Sequence, residues 1–525
     1  MKVFLMYADR DFDPKKQPAP NSEELIQDLE LEILFRAMAA GDEFLHNVAK
    51  TAVLMSLYEL TSIEYRQSIL TDCMDQPDVV RQTYAIAVEA IEREKGVWGW
   101  MSHRYPEGAL HRSIEVLQIF VELLRRLRNL ADAHGATFHS AGFQRFFTML
   151  QEELNDEYLL TVEEHLERLK FRDGILMSAE LGQGNKGRNY ILRKPPFVAR
   201  TWFERLQNWV SLRTGADRKE YVYEVDERDE AGYHALSELK TRGIAHIATA
   251  LAESMDHILS FFRMLRLEMG FYICCLNLRD QLLQKQAHFC FPDALPSDLT
   301  RLGAQGLYDI CLQLSSDGRV VGNSISANDR PLIMITGANH GGKSTFLRSV
   351  GVAQLMMQCG MFVPGQSFEA SICSGIFTHF KREEDAAMKS GKLDEELGRM
   401  SWIVDMVTPH SMILFNESFA STNEREGSEI ARQIVQALLE LRIRVVYVTH
   451  MFDLAQSCHE RSCANGLFLR AERLADGHRT FRMVEGEPLP TSYGEDLYHR
   501  IFEGKLRADS PYAITSLIEG EGIRL

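Results

Sequence analysis

The stretch PLIMITGANHGGKST, residues Pro331 to Thr345, decides how the rest of the chain is read. Leu332–Ile335 is a short apolar run of the kind that fills a buried strand. It leads directly into a loop in which Gly337, Gly342, Lys343 and Ser344 stand at the spacing G-x-x-x-x-G-K-S. Between a strand and a helix, that spacing is a phosphate-binding loop. Its glycines let backbone N–H groups wrap an anion, its lysine reaches the β- and γ-phosphates, and its hydroxyl coordinates Mg²⁺. The reading predicts ATP and Mg²⁺ as cofactors. It makes Gly337, Ala338, Asn339, His340, Gly341, Gly342, Lys343, Ser344 and Thr345 the ATP-binding loop, with Ser344 also a metal ligand. A helix over residues 343–359 would point its positive dipole end at the same anion.

Downstream, two more apolar runs, Met412–Phe415 and Val445–Val448, alternate with helical stretches. That layout predicts a mostly parallel sheet covered on both faces. The first run ends in Asn416-Glu417, where an acidic residue ordinarily holds the metal. Asn416 is neutral; it can hold a metal-bound water, and it predicts weaker Mg²⁺ binding and a slow ATPase. Glu417 fits a general base that orients the attacking water. The second run ends in Val448-Thr449-His450, and a histidine at the C-terminal end of a strand, beside a nucleotide crevice, fits a γ-phosphate sensor. Lys343, Glu417 and His450 are the catalytic candidates, with Asn416 the second metal candidate.

Upstream, roughly the first 290 residues read as helical. Asn21 and Glu24 have the spacing of a capping box that opens a helix carrying Leu25, Leu29 and Ile33 on one face. Ile114, Leu117, Val121, Leu124 and Leu127 recur at three- and four-residue steps, as do Phe143, Phe147, Leu150 and Leu154. Ile247, Leu251, Ile258 and Leu265 mark a third stripe over about 234–269, a helix of roughly 35 residues and about 50 Å, long enough for a lever or a coiled arm. Between these runs the period changes. Residues 174–196 look strand-like around GQGNKGRN, and Tyr221–Val225 alternates as a strand does.

The charge inverts in that insert. Between Gln183 and Lys219 nine basic residues face only Glu204 and Asp217, within a chain whose net charge is −16. Tyr190, Phe197, Trp202, Phe203 and Trp209 are interleaved with them. Basic and aromatic residues together suit phosphate contact with stacking, which makes Lys186, Arg188, Arg193 and Lys194 the DNA-binding candidates. The overall acidity excludes a general nucleic-acid coat. The nine cysteines form no C-x-x-C pair, so the expectation is reduced thiols in a cytoplasmic protein, with Cys274-Cys275 in a helical core. Neither a signal peptide nor a membrane-spanning run is apparent.

Taken together, these stretches resemble the MutS family of DNA mismatch-repair ATPases. TGANHGGKSTFLRSVGVAQLMMQCGMFVP is similar to that family's loop and following helix. IFTHFKREEDAAMKSGKLDEEL occupies the place of its signature segment, FNESFASTNEREG that of its second acidic motif and dimer-facing loop, and VTHMFDL that of its histidine switch. SYG at 492–494 is similar to its C-terminal pattern, and the long upstream helices look like its core and lever region. The resemblance implies a homodimer through the ATPase domains in which each nucleotide is completed by the partner's signature serine. Here that position falls on Gly391, with Ser390 adjacent. It also puts Asn323 at the adenine side of the ATP site and Val320 where a residue packs on the base. The start of the chain at the core helices implies a family member without the mismatch-reading and connector domains.

The fold class expected is multidomain α + α/β. A helical core over 1–112 is followed by lever helices over 113–270, with a small basic insert at about 172–230. A P-loop ATPase domain of ABC-like type with a mostly parallel sheet, ending in a dimerisation segment, occupies 271–525. The leading functional expectation is an ATP-gated dimeric clamp on mismatched or branched duplex DNA, with repair proteins as further partners and no membrane. The alternative is a nucleotide-controlled scaffold with weak or no ATPase activity. An ABC-type or SMC-like ATPase would carry an LSGGQ motif, which this sequence lacks.

Overall fold

The structure is a computed structural model that describes residues 1–16, 18–97, 106–171, 177–181, 183, 187–193, 230–382, 391–460, 465–474 and 477–489. Its helices are α1 (Ser22–Asp28), α2 (Leu31–Ala39), α3 (Glu43–Leu54), α4 (Leu60–Asp75), α5 (Pro77–Gly96), α6 (Pro106–His134), α7 (Ala141–Glu153), α8 (Asp156–Leu169), α9 (Glu230–Gln284), α10 (Ile310–Ser315), α11 (Lys343–Gln358), α12 (Lys392–Met406), α13 (Glu424–Glu440) and α14 (Phe452–Glu460). Two compact units divide the chain. A helical unit holds 1–3, 81–137 and 144–266, and a sheet unit holds 4–80, 138–143 and 267–525.

In the sheet unit, six strands run in the order β10 (Ile376–Phe380), β11 (Met412–Asn416), β12 (Arg444–Val448), β7 (Leu332–Gly337), β13 (Leu467–Arg473), β14 (Arg479–Glu485). The first five are parallel, and β14 closes one edge as an antiparallel hairpin with β13. Strands β7, β11 and β12 are apolar along most of their length because both faces are covered. On one face Ile413, Phe415, Val445 and Tyr447 pack with Met400, Ala431, Val435 and Leu454 of α12, α13 and α14. The opposite face takes α11, whose Gly351 sits where a Cβ would come within 2.5 Å of Leu414. A second sheet, ordered β4 (Asp293–Leu295), β9 (Ser367–Ser371), β5 (Leu302–Leu307), β6 (Asn323–Ser326), lies within the same unit, as does the short pair β3 (Phe289–Cys290) and β8 (Val363–Pro364).

Two helical expectations are corrected. The first helix is broken: Glu30 is in the left-handed region (φ 56°), so α1 and α2 are separate and Ile33 is only partly buried. Nor does Asn21 cap with its side chain; its amide donates 2.6 Å to the carbonyl of Ile376 instead. The third helix is longer than its apolar stripe, with 55 residues in α9. Its buried line is Ile244, Ala248, Met255, Leu259, Phe262, Leu265 and Met269; of the expected stripe Leu265 is on that line, and Ile247, Leu251 and Ile258 flank it.

Other expectations hold. All five stripe residues of α6 are buried, as are Phe143, Phe147, Leu150 and Leu154. Within the helical unit, β1 (Met177–Leu181) and β2 (Gly187–Leu192) pair antiparallel, and 174–176 and 194–196 of the strand-like stretch lie outside the described residues. The expected strand at Tyr221–Val225 lies outside the described residues. Among the described residues Cys73, Cys274, Cys275, Cys290, Cys311, Cys359 and Cys373 are free thiols, and Cys274 and Cys275 are fully buried. Among the described residues no helix is long and apolar enough to cross a membrane.

The part of α9 in the sheet unit carries a buried carboxylate, Glu268, which holds the extended segment over residues 5–12. Its oxygens accept the backbone N–H groups of Leu5, Met6 (3.1 Å) and Phe12 (2.9 Å). Burial outweighs those bonds, and Asp11 adds to it, so the carboxyl is pushed up to about 7. An acid whose folded value is raised binds more protons folded than unfolded between pH 4.5 and about 7, so its stabilisation is lost as pH rises through that window. The protein should lose roughly 2–3 kcal/mol from this group between about pH 4.5 and about pH 8. Urea unfolding at both limits should show the loss, and Glu268→Gln should flatten it. An equal slope in the variant would acquit Glu268.

Candidate functional site

The parallel register brings three strand ends to one edge of the sheet. Asn416 is level with Val448, and Val448 with Ile335. The glycine loop, the Asn416-Glu417 corner and the turn at His450 therefore converge, where polar groups at the C-terminal ends of parallel strands form a crevice.

The loop after β7 is held by backbone conformation. Gly337 (φ 104°) and Gly342 (φ 87°) occupy the left-handed side of the map, and a Cβ on Gly337 would lie 2.9 Å from the backbone nitrogen of Ala471 in β13. His340 also adopts φ 57°, at a solvent-exposed position beside exposed Asn339, while Ala338 and Gly341 are buried. Gly342 caps α11, and Thr345 lies in its first turn. Lys343 is buried, and its ammonium donates to the carbonyls of Gly337 (2.9 Å) and Ala338 (3.1 Å). Burial lowers its proton affinity, the charge of Glu417 opposes that, and the charge of Arg479 adds to it.

Ser344 Oγ donates to Asn416 Oδ1 at 2.9 Å. The two metal candidates are thus adjacent, and both offer neutral oxygens, the ligand type Mg²⁺ takes beside waters and phosphates. Among the described residues no cluster of three or more His, Cys, Asp or Glu could hold a metal by itself. A Mg²⁺ ion at Ser344 and Asn416 fits as one completed by phosphate and water.

Glu417 follows in a left-handed conformation (φ 55°), its N–H donating to the Val448 carbonyl at 2.9 Å. His450 Nδ1 lies 3.8 Å from Glu417 Oε1, an ion-pair distance too long for a hydrogen bond. The His450 imidazole, more than the opposing burial, holds the Glu417 carboxyl below its ordinary value, with Lys343 and Lys381 contributing.

Beside the loop opens a cavity of 1220 Å³. Its walls include His340, Thr345, Val320, Asn323 and three residues no motif pointed to, His478, Arg479 and Phe481. The ring of Phe481 comes close to Gly342, 3.5 Å from a Cβ built there. Asn323 is nearly buried; its amide donates to the Phe481 carbonyl (3.2 Å) and its Oδ1 accepts from Met483 N–H (2.7 Å), so it laces β6 to β14 along the cavity wall. The sequence carried one faint sign of this wall: the alternation in RTFRMVE, residues 479–485, marks a strand. Its place against a loop about 140 residues earlier follows only from sheet topology.

Arg188 is on β2, level with Glu180, and exposed Arg193 donates to Ser178 Oγ at 2.9 Å, both in the helical unit. Lys186 and Lys194, most of the basic insert, Ser390 and the SYG segment lie outside the described residues. Gly391 precedes α12 as its N-terminal cap, in extended conformation.

A mostly parallel sheet with a glycine loop at its central strand defines an α/β class that many families share. Comparison with known proteins narrows it. The family model described as the MutS2 N-terminal domain matches residues 58–285, and that described as MutS domain V matches residues 333–500. The DNA mismatch repair protein MutS of Clostridium kluyveri is 30% identical over 174 residues, 32% of this chain and 20% of that protein. MutS protein homolog 4 of Mus musculus is 28% identical over 170 residues, 32% of this chain and 17% of that protein. The chain belongs to the MutS family. The matched part spans about a fifth of the length of these relatives.

Replacing Asn323 with Ala should loosen the cavity wall, because it deletes two hydrogen bonds and leaves the Met483 N–H without its acceptor. A stability loss of about 1–3 kcal/mol is expected in denaturant unfolding. An unchanged midpoint would mean that β14 is held by its pairing with β13 alone.

Proposed function

We propose that this protein binds and hydrolyses ATP and uses it to gate a dimeric clamp on mismatched or branched DNA, in repair or recombination. What carries the reading is one crevice: the buried Lys343 inside the glycine loop, the Ser344–Asn416 pair and the Glu417–His450 pair stand together at the ends of three parallel strands. The names of the relatives, DNA mismatch repair protein MutS among them, support the DNA side.

In this reading the loop N–H groups and the dipole end of α11 take the phosphates, and Lys343 exchanges its two carbonyl partners for β- and γ-phosphate oxygens. Ser344 and Asn416 hold Mg²⁺, which supplies neutralisation of phosphate charge when bound. Glu417, kept ionised by His450, accepts the proton of the attacking water, and His450 lies where it can report the γ-phosphate. The base and ribose fit the adjoining cavity. There Val320 and the ring of Phe481 line the wall against which the base packs, and Asn323 fixes the strand that carries Phe481. A second copy would cover α12, which exposes Leu397, Trp402, Val404 and Met406.

The scaffold alternative draws on Asn416. A neutral residue there weakens the metal site, and a slow or silent ATPase would still switch conformation on binding. Turnover separates the two readings. Lys343→Ala should lose ATP binding, and Glu417→Gln should keep it while hydrolysing at least about a hundredfold more slowly. Wild-type protein that binds ATP and releases no phosphate would leave the scaffold in possession.

DNA binding is tested by salt. If Lys186, Arg188, Arg193 and Lys194 lie along phosphates, log affinity falls with log salt at about −0.9 per contact. Changing all four to Ala should flatten that slope by up to about 3 to 4 units and leave ATP affinity intact. A quadruple variant with unchanged affinity and slope would remove the insert from the DNA site.

A further inference from the structure

Ser418 stands between two residues in the left-handed region, Glu417 (φ 55°) and Phe419 (φ 61°). Neither neighbour is a glycine, so both conformations are strained and persist only where the surroundings over-determine them. The surroundings do so through Ser418 and a histidine on the next strand. Ser418 is fully buried, and its single hydroxyl proton has two acceptors within reach, His379 Nδ1 at 2.7 Å and the His379 carbonyl. The Ser418 carbonyl accepts the hydroxyl of Tyr447 at 2.8 Å. The His379 ring stacks on Phe419, centroids 5.1 Å apart and planes 20° apart.

His379 faces the other way as well. Its Nε2 lies 2.9 Å from the Glu396 carbonyl in α12 and must be the donor there, so Nδ1 is the acceptor of a neutral ring. Burial pushes its proton affinity down to about 4, and Arg399 and Arg382 work in the same direction, so the ring stays neutral. The contact reaches one end of the strained corner; Ser421 extends the tie, its hydroxyl 3.1 Å from Glu396 Oε1.

We propose that His379 is a positioning residue: through Ser418 it fixes the corner that presents Glu417, and it ties that corner to α12. The proposal rests on the reading of Glu417 as the base for ATP hydrolysis. His379 is fully buried behind the corner. It acts on the angle at which the carboxylate is offered, and a displacement of about 1 Å at such a group can cost a hundredfold in rate. The same tie makes the corner sensitive to where α12 lies, because the Glu396 carbonyl and the Glu417 corner share one histidine.

The test is steady-state ATP hydrolysis with kcat and KM resolved, beside equilibrium ATP binding, for Ser418→Ala, His379→Gln, His379→Asn and Glu417→Gln. Gln reaches the Nε2 position and keeps the Glu396 bond while losing Ser418; Asn reaches the Nδ1 position and keeps Ser418. Ser418→Ala and His379→Gln should lower kcat by ten- to a hundredfold with KM and ATP affinity within about twofold of wild type. His379→Asn should recover to within about threefold of wild type. If Ser418→Ala does not fold, the Gln and Asn variants carry the comparison. Equal kcat in His379→Gln and wild type, Asn as slow as Gln, or a matching loss of ATP affinity overturns the positioning role. If Glu417→Gln slows hydrolysis while the His379 and Ser418 variants do not, only this inference falls. If Glu417→Gln itself hydrolyses at the wild-type rate, the reading of the base falls and this inference falls with it.

Discussion

The constraint on which the site depends is the level alignment of three parallel strands. Antiparallel neighbours would send alternate ends to opposite edges. Parallel β7, β12 and β11, paired in step, send all three C-terminal ends to one edge. The alignment is enforced by burial: every residue from Met412 to Phe415 and from Arg444 to Val448 is buried. A slip of one residue would exchange the face packed on α13 for the face packed on α11. Separations of 72 residues between Ser344 and Asn416, and of 33 between Glu417 and His450, thereby close to direct contact.

At that edge the chain accepts strain where the chemistry is expected. His340, Glu417 and Phe419 are all in the left-handed region without being glycine. Each such residue costs of order 1–3 kcal/mol, which the surrounding packing must offset. Around Phe419 the packing is close enough that a Cβ on Gly427 would approach its carbonyl to 2.3 Å. The sheet behind it stacks Phe415 on Tyr447 at 4.9 Å. Strained corners at the crevice edge, set on a core of flat apolar contacts, let the loop hold polar groups at fixed angles.

How much of this was legible in the sequence depended on how local the cause was. Strands β7, β11 and β12 were readable because a strand buried on both faces is an uninterrupted apolar run. The glycine loop was readable because positive φ and close approach demand glycine at fixed spacing. The stripe of α6 was readable from its period. Legibility failed where tertiary partners decide. Asn21 and Glu24 have the spacing of a capping box, yet the Asn21 amide finds a better partner in Ile376, 355 residues away. The apolar pattern of 25–33 suits one helix, and the left-handed Glu30 divides it. One side of the cavity wall, with Arg479 and Phe481, comes from an edge hairpin that no spacing connects to the loop. His379 and Ser418 read as ordinary strand and corner residues. Only the parallel pairing of β10 with β11 reveals them as a pair.

The far end of α11 shows the same economy of local rules overridden by long-range ones. Arg66 is completely buried, and its charge is met by carbonyls and ring faces. Its Nε donates to Met6 (2.9 Å) and its Nη1 to Cys359 (3.2 Å), while the guanidinium lies 4.7 Å from the Tyr7 ring centre and 5.7 Å from that of Phe271. Cys359 is the residue that ends α11, and Phe271 belongs to α9 three residues beyond Glu268. One guanidinium therefore joins the end of the glycine-loop helix to the segment over residues 5–12 and to the long helix that holds it. A lysine would lack the planar guanidinium that lies over the two aromatic rings while its separate nitrogens reach carbonyls on different segments. Sixteen residues of α11, about 24 Å of rigid rod, separate this joint from Lys343. Removing the Arg66 guanidinium would leave the carbonyls of Met6 and Cys359 without these donors at buried positions, a cost of about 1–3 kcal/mol for each unsatisfied group.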